Sequence, residues 1–352
     1  MIIFRTFLAF IAALLGMLLS FPVVVIGLPF WIVAFFTNAF SRLCEPQATP
    51  WQELIEFHPV LGWKNKANLN TFATMENTES FHFTTDPLGW RGKTSIKESD
   101  IIVFGDSFAF GYGINDNRFF AELNPDIKVK SIGACGYNMV QSLLWMQHFS
   151  SELNGKLVVW FIFTGNDLYE NLIPNQCNYR MPFVRNINSS ESWEIVTHHI
   201  RPNKWFYTLE PQNDIRLAEI CSPAPLSERA FSACEFLIEK GKSICDEAGA
   251  QLVVVTIPEA LQIRPDGLKY LASLLPDPKA FDPDLPDKRI YEICCKINVP
   301  FVALKKILRD CDYYVGDVHW NKKGNQRVAE VLHDIYQEQI LSRTDLKEKC
   351  GR

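Results

Sequence analysis

The chain has 352 residues, of which 47% are hydrophobic, 13% aromatic and 21% charged, and its formal net charge is −5. This balance excludes an intrinsically disordered chain, and the absence of a Lys/Arg block or basic stripe argues against a nucleic-acid partner. The ten cysteines include no CxxC pair and no neighbouring histidines at ligand spacing. We therefore predict no metal site and interpret most of these cysteines as buried thiols.

Residues 2–38 are almost wholly apolar, with few interruptions such as Arg5, Ser20 and Pro22. Because about 20 apolar residues suffice to cross a bilayer, residues 1–42 are predicted to anchor the chain in a membrane. A cleaved signal peptide would have a shorter apolar region. Two arrangements stay open: one crossing followed by an interfacial piece, or a re-entrant helical hairpin broken near Pro22. Arg5 and Arg42 do not decide which side carries the rest of the chain.

Residues 43–98 form a linker segment in which turn residues alternate with aromatic anchors, a pattern typical of extended structure packed on a domain edge. Strand and helix patterns then alternate, which predicts a parallel sheet covered by helices on both faces. The predicted strands are 101–104, 129–132, 157–163, 252–257 and 301–303, and the predicted helices are 139–149, 227–249, 287–297 and one capped by Asn321.

The predicted α/β domain covers residues 99–342 and is followed by a tail at 343–352. Residues 168–225 break the alternation with six prolines and interspersed aromatic side chains. We interpret this segment as an insertion, or a lid over the functional site.

Gly105-Asp106-Ser107 directly follows the first predicted strand. In such sheets, active sites lie at the carboxyl ends of the strands, and a serine on a tight glycine turn there is well placed for a nucleophile. Residues 108–113 are expected to be flexible and to let a substrate approach the backbone. A turn that Asp106 or Ser107 merely stabilises would explain the tripeptide equally well.

Gly136 and Asn166 follow the second and third predicted strands, where a backbone N–H and a side-chain amide could donate to a developing oxyanion. Asp317 and His319 precede the last helix and could act as orienting acid and general base. Taken singly, these are also common turn residues and a surface histidine. Together with Ser107 they supply every role that acyl transfer requires.

Four blocks of the chain resemble those of the SGNH (GDSL-type) hydrolase superfamily, and the resemblance covers roughly residues 100–340. In order they are Phe104–Ser107, Gly133–Asn138, Thr164–Asp167 and Asp317–Asn321. One departure is that Gly316 stands where the commonest last block has aspartate. The Asp-x-His spacing is similar to a variant found among membrane-associated relatives, including polysaccharide O-acetyltransferases of the alginate type.

The resemblance implies a flavodoxin-like, three-layer α/β/α sandwich without metal or cofactor. It implies that Ser107 attacks an ester with His319 as base, oriented by Asp317 or acting in a Ser-His dyad. The oxyanion would be held by the Ser107 amide, the Gly136 amide and the Asn166 side chain. The leading hypothesis is a membrane-anchored carboxylic ester hydrolase with an acyl-Ser107 intermediate. The alternatives are an O-acyltransferase acting on a glycan or lipid-linked saccharide, and a non-catalytic envelope protein with the same fold.

Overall fold

The computed structural model describes residues 53–73, 80–176, 179–187, 192–197 and 213–350. The apolar segment 2–38, with its predicted membrane helix or hairpin, lies outside these ranges, as do His198 and His199 of the insertion. Among the described helices, none combines the length and the apolar character needed to cross a membrane.

The linker segment forms two antiparallel hairpins, which agrees with the extended structure predicted for it. Their strands are β1 (Ile55–His58), β2 (Gly62–Asn65), β3 (Asn70–Ala73) and β4 (Phe81–Thr84). Trp63 and Trp90 are fully buried, so the linker packs firmly on the domain that follows it.

Three strands with two intervening α-helices come next along the chain; the strands and the second helix agree with the predicted positions to within a residue, whereas the first helix was not predicted. They are β5 (Ile101–Gly105), α1 (Ser107–Phe110), β6 (Val129–Gly133), α2 (Met139–His148) and β7 (Leu157–Phe163). All three strands are buried along their whole length, as expected for parallel strands covered on both faces.

The described residues of the insertion form small hairpins and helices and no further strand of the sheet. Its elements are α3 (Asp167–Glu170), β8 (Asn175–Gln176), β9 (Tyr179–Arg180), β10 (Phe183–Asn186), β11 (Trp193–Val196) and α4 (Asn213–Ile220). The pairs β8–β9 and β10–β11 are antiparallel. The departure from the alternating pattern is therefore real, although the helix at 213–220 was not predicted.

The chain then returns to the alternation. The remaining elements are α5 (Pro225–Ala248), β12 (Gln251–Ile257), α6 (Pro265–Ser273), α7 (Leu285–Lys296), β13 (Phe301–Ala303) and α8 (Lys322–Cys350). The predicted start of α5 at residue 227 is wrong: the helix starts at Pro225, and proline is preorganised for the first helical position. Ser227 lies inside the first turn, where its hydroxyl accepts a hydrogen bond from Ala224 N at 3.1 Å.

Five strands form one parallel sheet in the order β13-β12-β7-β5-β6. Numbered along the chain, this is the 2-1-3-4-5 order of flavodoxin-like sheets. Alternate side chains of β5 enter two separate hydrophobic clusters: Ile102 and Phe104 face α2 and α5, and Ile101 and Val103 face α1 and α8. The predicted α/β/α layering is therefore confirmed.

The described cysteines are free thiols, and most are buried, in line with the prediction. Only two of them, Cys295 and Cys311, are exposed; the buried ones are Cys135, Cys221, Cys234, Cys245 and Cys294.

Candidate active site

Three residues at the carboxyl edge of the sheet are partly exposed although the residues around them in the sequence are buried. Ser107 follows β5, Gly136 follows β6 and Asn166 follows β7. Because β5 lies between β6 and β7, Ser107 has Gly136 on one side and Asn166 on the other. The strand ends thus bring the three predicted residues to one edge of the sheet.

Ser107 is the first residue of α1. The preceding Asp106 is the N-cap, and its side chain accepts a hydrogen bond from Phe108 N at 2.9 Å. At the first helical position the Ser107 N–H has no acceptor within the helix, so it can donate to an oxyanion that forms beside the hydroxyl.

Glycine at position 133 lets the serine turn pack closely on the end of β6. A Cβ at Gly133 would come within 2.6 Å of both Ala109 Cβ and Asp106 O. The expectation that residues 108–113 form a flexible loop is wrong, because Phe108 to Phe110 are helical and buried against the core. The serine is therefore held on a packed turn, which keeps its hydroxyl in one place.

His319 connects the serine to a carboxylate. Its Nε2 lies 2.7 Å from Ser107 Oγ, and its Nδ1 lies 2.6 Å from Asp317 Oδ1. The same carboxylate oxygen accepts the His319 backbone N–H at 2.7 Å. With Nδ1–H donating to Asp317, Nε2 carries the lone pair that can accept the Ser107 proton.

Asp317 is suited to orient this histidine. Burial of its carboxyl group favours the neutral form, but the hydrogen bonds from His319 and the charge of His319 outweigh burial and hold the pKa of Asp317 below its ordinary value. Asp317 is thus anionic at neutral pH and can stabilise an imidazolium. Gly316, at the aspartate position of the commonest block, instead adopts a left-handed φ of 78° and has no side chain to offer.

The loop that carries His319 is fixed by backbone pairing and by aromatic contacts. An isolated β-bridge closes it, and Tyr314 N donates to His319 O at 3.0 Å. The ring centroids of Phe108 and Tyr112 lie 4.9 and 5.2 Å from that of the imidazole. Trp320, the next residue along the chain, is fully buried. These contacts limit the imidazole to a small range of orientations.

The two other predicted donors differ in how they are held. Gly136 has a φ of 72°, a left-handed conformation that glycine adopts at low cost. Asn166 Nδ2 donates to Glu170 Oε1 at 2.9 Å. Glu170 was not among the predicted site residues, although its spacing of four residues from Asn166 places the two side chains on neighbouring positions of one helical turn.

Buried carboxyl groups lie behind the serine. Burial raises the pKa of Asp106 to about 6. Burial, with the negative charges of Asp106 and Glu170, raises the pKa of Asp167 well above its ordinary value. Asp167 Oδ2 accepts the backbone N–H of Phe163 at 2.8 Å, which ties it to the end of β7. Asp106 and Asp167 therefore keep a proton to higher pH than an ordinary aspartate, whereas Asp317 loses its proton at lower pH.

The linker segment holds the loop that carries Gly136. Trp63 Nε1 donates to Cys135 O at 3.0 Å and Asn65 Nδ2 donates to Gly133 O at 2.8 Å, and both side chains are buried. The aromatic side chains of this segment were predicted to anchor it by packing. Trp63 does pack, and it also fixes a backbone carbonyl beside the predicted oxyanion donor.

Arg91, also of the linker segment, holds the other side of the serine turn. Its buried guanidinium donates to Gly111 O at 2.5 Å and to Ile114 O at 2.7 Å, and it pairs with Asp116 at 2.8 Å. The ring of Phe119 lies 4.6 Å from the guanidinium carbon. The residues just after α1 are therefore anchored from outside the alternating α/β pattern.

No family model matches the chain, and no curated protein matches it. Among solved structures, it is similar to a member of the lipolytic protein G-D-S-L family from Veillonella parvula, with 11% identity, a TM-score of 0.37, and coverage of 67% of this chain and 97% of that one. It is also similar to a GDSL-like lipase from Bacteroides thetaiotaomicron, with 15% identity, a TM-score of 0.37, and coverage of 70% of this chain and 92% of that one. A third is a carbohydrate acetylesterase family member from Sinorhizobium meliloti (10%, TM-score 0.38, coverage 68% and 97%). At these scores the functional assignment has to come from the geometry of the site.

Proposed function

We propose that this chain is a serine esterase that cleaves a carboxylic ester through an acyl-Ser107 intermediate. The observation that carries the proposal is the continuous hydrogen-bonded series from Ser107 Oγ through both ring nitrogens of His319 to Asp317 Oδ1. A serine whose hydroxyl faces an unprotonated imidazole nitrogen, itself oriented by a carboxylate, is an activated nucleophile.

In the first half of the proposed reaction, Ser107 Oγ attacks the ester carbonyl carbon while His319 Nε2 takes the hydroxyl proton. The carbonyl oxygen becomes an oxyanion, which the Ser107 N–H, the Gly136 N–H and the Asn166 amide stabilise. The C–O bond to the alcohol then breaks, and His319 returns its proton to the leaving alkoxide. The acyl group remains on Ser107.

In the second half, His319 removes a proton from water, and the hydroxide attacks the acyl carbon. The tetrahedral intermediate collapses to the carboxylic acid and regenerates Ser107. If an acceptor alcohol replaces water in this step, the same residues perform O-acyl transfer. We further propose that residues 2–38 attach the enzyme to a membrane, so that its ester or acylated saccharide substrate is encountered at the bilayer surface.

The test uses the full-length chain in detergent with 4-nitrophenyl acetate as substrate and a fluorophosphonate as active-site probe. We expect turnover and probe labelling in the wild type, and loss of both to background in Ser107→Ala, because no other hydroxyl is placed against His319 Nε2 among the described residues. Ser243→Ala is the matched control, since this exposed serine donates to Glu247 on α5.

Turnover that survives in a folded Ser107→Ala protein contradicts the esterase mechanism. A folded wild type that neither turns over ester nor reacts with the probe supports the non-catalytic alternative instead. Adding a saccharide acceptor distinguishes hydrolysis from transfer: acylated sugar at the expense of free acid identifies the acyltransferase.

A further inference from the structure

The Asn166 side chain is held at one point only. Its Nδ2 donates to Glu170 Oε1 at 2.9 Å, whereas its Oδ1 is buried and has no hydrogen-bond partner among the described residues. An asparagine amide with a single partner can rotate or flip when that partner is lost, because nothing else distinguishes its oxygen from its nitrogen.

Glu170 is well suited to fix the direction of this amide. Its side chain is fully buried, and Oε1 accepts hydrogen bonds from both Asn166 Nδ2 and Gln176 Nε2. An acceptor at this position binds the nitrogen of the amide and not its oxygen. Since an amide nitrogen carries two hydrogens, one is taken by Glu170 and the other remains to donate elsewhere.

Gln176 adds a second residue of the insertion to this arrangement. It lies on β8, and its Cγ is 3.8 Å from the position that a Cβ on Gly136 would occupy. Gln176 thus lies between the two donors that follow β6 and β7. The Glu170 carboxyl group joins a side chain of the insertion to a side chain of the sheet edge.

We propose that Glu170 is the positioning residue of the oxyanion hole: it holds Asn166 with an N–H directed at the oxyanion, and Gln176 of the insertion fixes Glu170 in turn. This inference rests on the proposed esterase function. It assigns Glu170 no contact with substrate, because the carboxyl group acts through Asn166. Glu170 therefore affects the rate of the chemical step more than substrate binding.

The test is a double-mutant cycle on the full-length enzyme with 4-nitrophenyl acetate. Removal of an oxyanion donor costs about 10²–10³ in kcat, so we expect that loss in Asn166→Ala. We expect kcat to fall by a factor of about 10–10² in Glu170→Ala, with KM nearly unchanged. The Asn166 amide is still present in this variant but is misdirected, so only part of its stabilisation of the oxyanion is lost. In the double variant, kcat should equal that of Asn166→Ala alone, because Glu170 has then no amide left to position.

Glu170→Gln keeps an acceptor oxygen at the same distance along the side chain, so its kcat should lie within about threefold of that of the wild type. Thermal unfolding is measured on every variant. If Glu170→Ala does not fold, Glu170→Asp takes its place in the cycle, since it keeps the carboxyl group and withdraws its oxygen by one methylene. Glu194→Ala is the control: it removes an exposed carboxylate of the insertion that pairs with Arg185, and kcat should not change.

Losses in kcat that multiply in the double variant would overturn the inference, because Glu170 would then act independently of Asn166. That outcome is distinct from failure of the esterase proposal, which is decided by Ser107→Ala: Ser107-dependent turnover with multiplying losses rejects only the role of Glu170.

Discussion

The linker segment and the insertion both lie outside the strand-helix alternation, yet they contact the candidate site in different ways. The linker places buried side chains, Trp63, Asn65 and Arg91, directly on backbone carbonyls of the loops around Ser107 and Gly136. The insertion reaches the site through the buried Glu170, which accepts a hydrogen bond from the Asn166 side chain, and through the partly exposed Gln176, which donates to Glu170. The linker side chains therefore bind backbone carbonyls, whereas Glu170 and Gln176 of the insertion act on the side chain of Asn166.

This difference has energetic consequences. A buried donor that is removed leaves its acceptor carbonyl desolvated and unsatisfied, at a cost of about 1–3 kcal/mol for each group. Solvent competes for the exposed polar pairs of the insertion, and such pairs contribute about 0–1 kcal/mol. We therefore expect substitutions in the linker to lower the free energy of unfolding, and exposed substitutions in the insertion to leave it unchanged.

The largest effect is expected for Arg91→Met. The substitution fills much of the same space but leaves the carbonyls of Phe110, Gly111 and Ile114 without this donor and removes the cation that pairs with Asp116. Breaking a buried pair from one side costs about 3–5 kcal/mol, so the free energy of unfolding in urea should fall by that amount. A change below about 1 kcal/mol would show that the linker packs against the serine turn without stabilising it.

A pH-dependent effect is expected at Asp106, which belongs to the turn that Arg91 anchors. Burial raises the pKa of Asp106 from 3.8 to about 6 in the folded state. Between these values the folded chain keeps a proton that the unfolded chain has lost, so stability falls as pH rises from about 4 to about 6 and stays lowered above. Asp106→Asn keeps an oxygen to accept the Phe108 N–H and removes this penalty.

Urea unfolding at pH 4 and at pH 8 measures the effect. Relative to the wild type, Asp106→Asn should be more stable at pH 8 than at pH 4 by about 1–3 kcal/mol. Asp126→Asn, at an exposed position, is the control and should show the same pH dependence as the wild type. If the two variants behave alike, the buried carboxyl group is not the source of the pH dependence.

A smaller effect is expected for Trp63→Phe. The phenyl ring keeps most of the buried apolar surface but loses the indole N–H that binds Cys135 O at 3.0 Å. We expect a loss of about 1–2 kcal/mol in the free energy of unfolding. Because Cys135 directly precedes Gly136, we also expect kcat for 4-nitrophenyl acetate to fall by a few-fold with KM unchanged. An unchanged kcat would confine Trp63 to a structural role.

The sequence could predict the sheet and the candidate catalytic residues because both have local signatures. Buried parallel strands appear as continuous apolar runs, and strand ends place residues such as Ser107 and Asn166 at one edge. The linker contacts have no such signature, because Trp63 and Asn65 bind backbone carbonyls 72 and 68 residues away. Every residue has a backbone carbonyl, so the sequence does not show which one a distant side chain binds. Glu170 was detectable in principle, from its four-residue spacing to Asn166.

The smallest effect is expected for Arg185→Met in the insertion. Arg185 pairs with Glu194 across β10 and β11, but the two side chains are 59% and 38% exposed. Water replaces the lost hydrogen bonds, so the free energy of unfolding should change by less than about 0.5 kcal/mol. The substitution is chemically the same as Arg91→Met, and so the pair compares a buried arginine that has several acceptors with an exposed arginine that has one carboxylate partner. A loss at Arg185 as large as at Arg91 would mean that the insertion is as integral to the fold as the linker, and the distinction between the two regions would not hold.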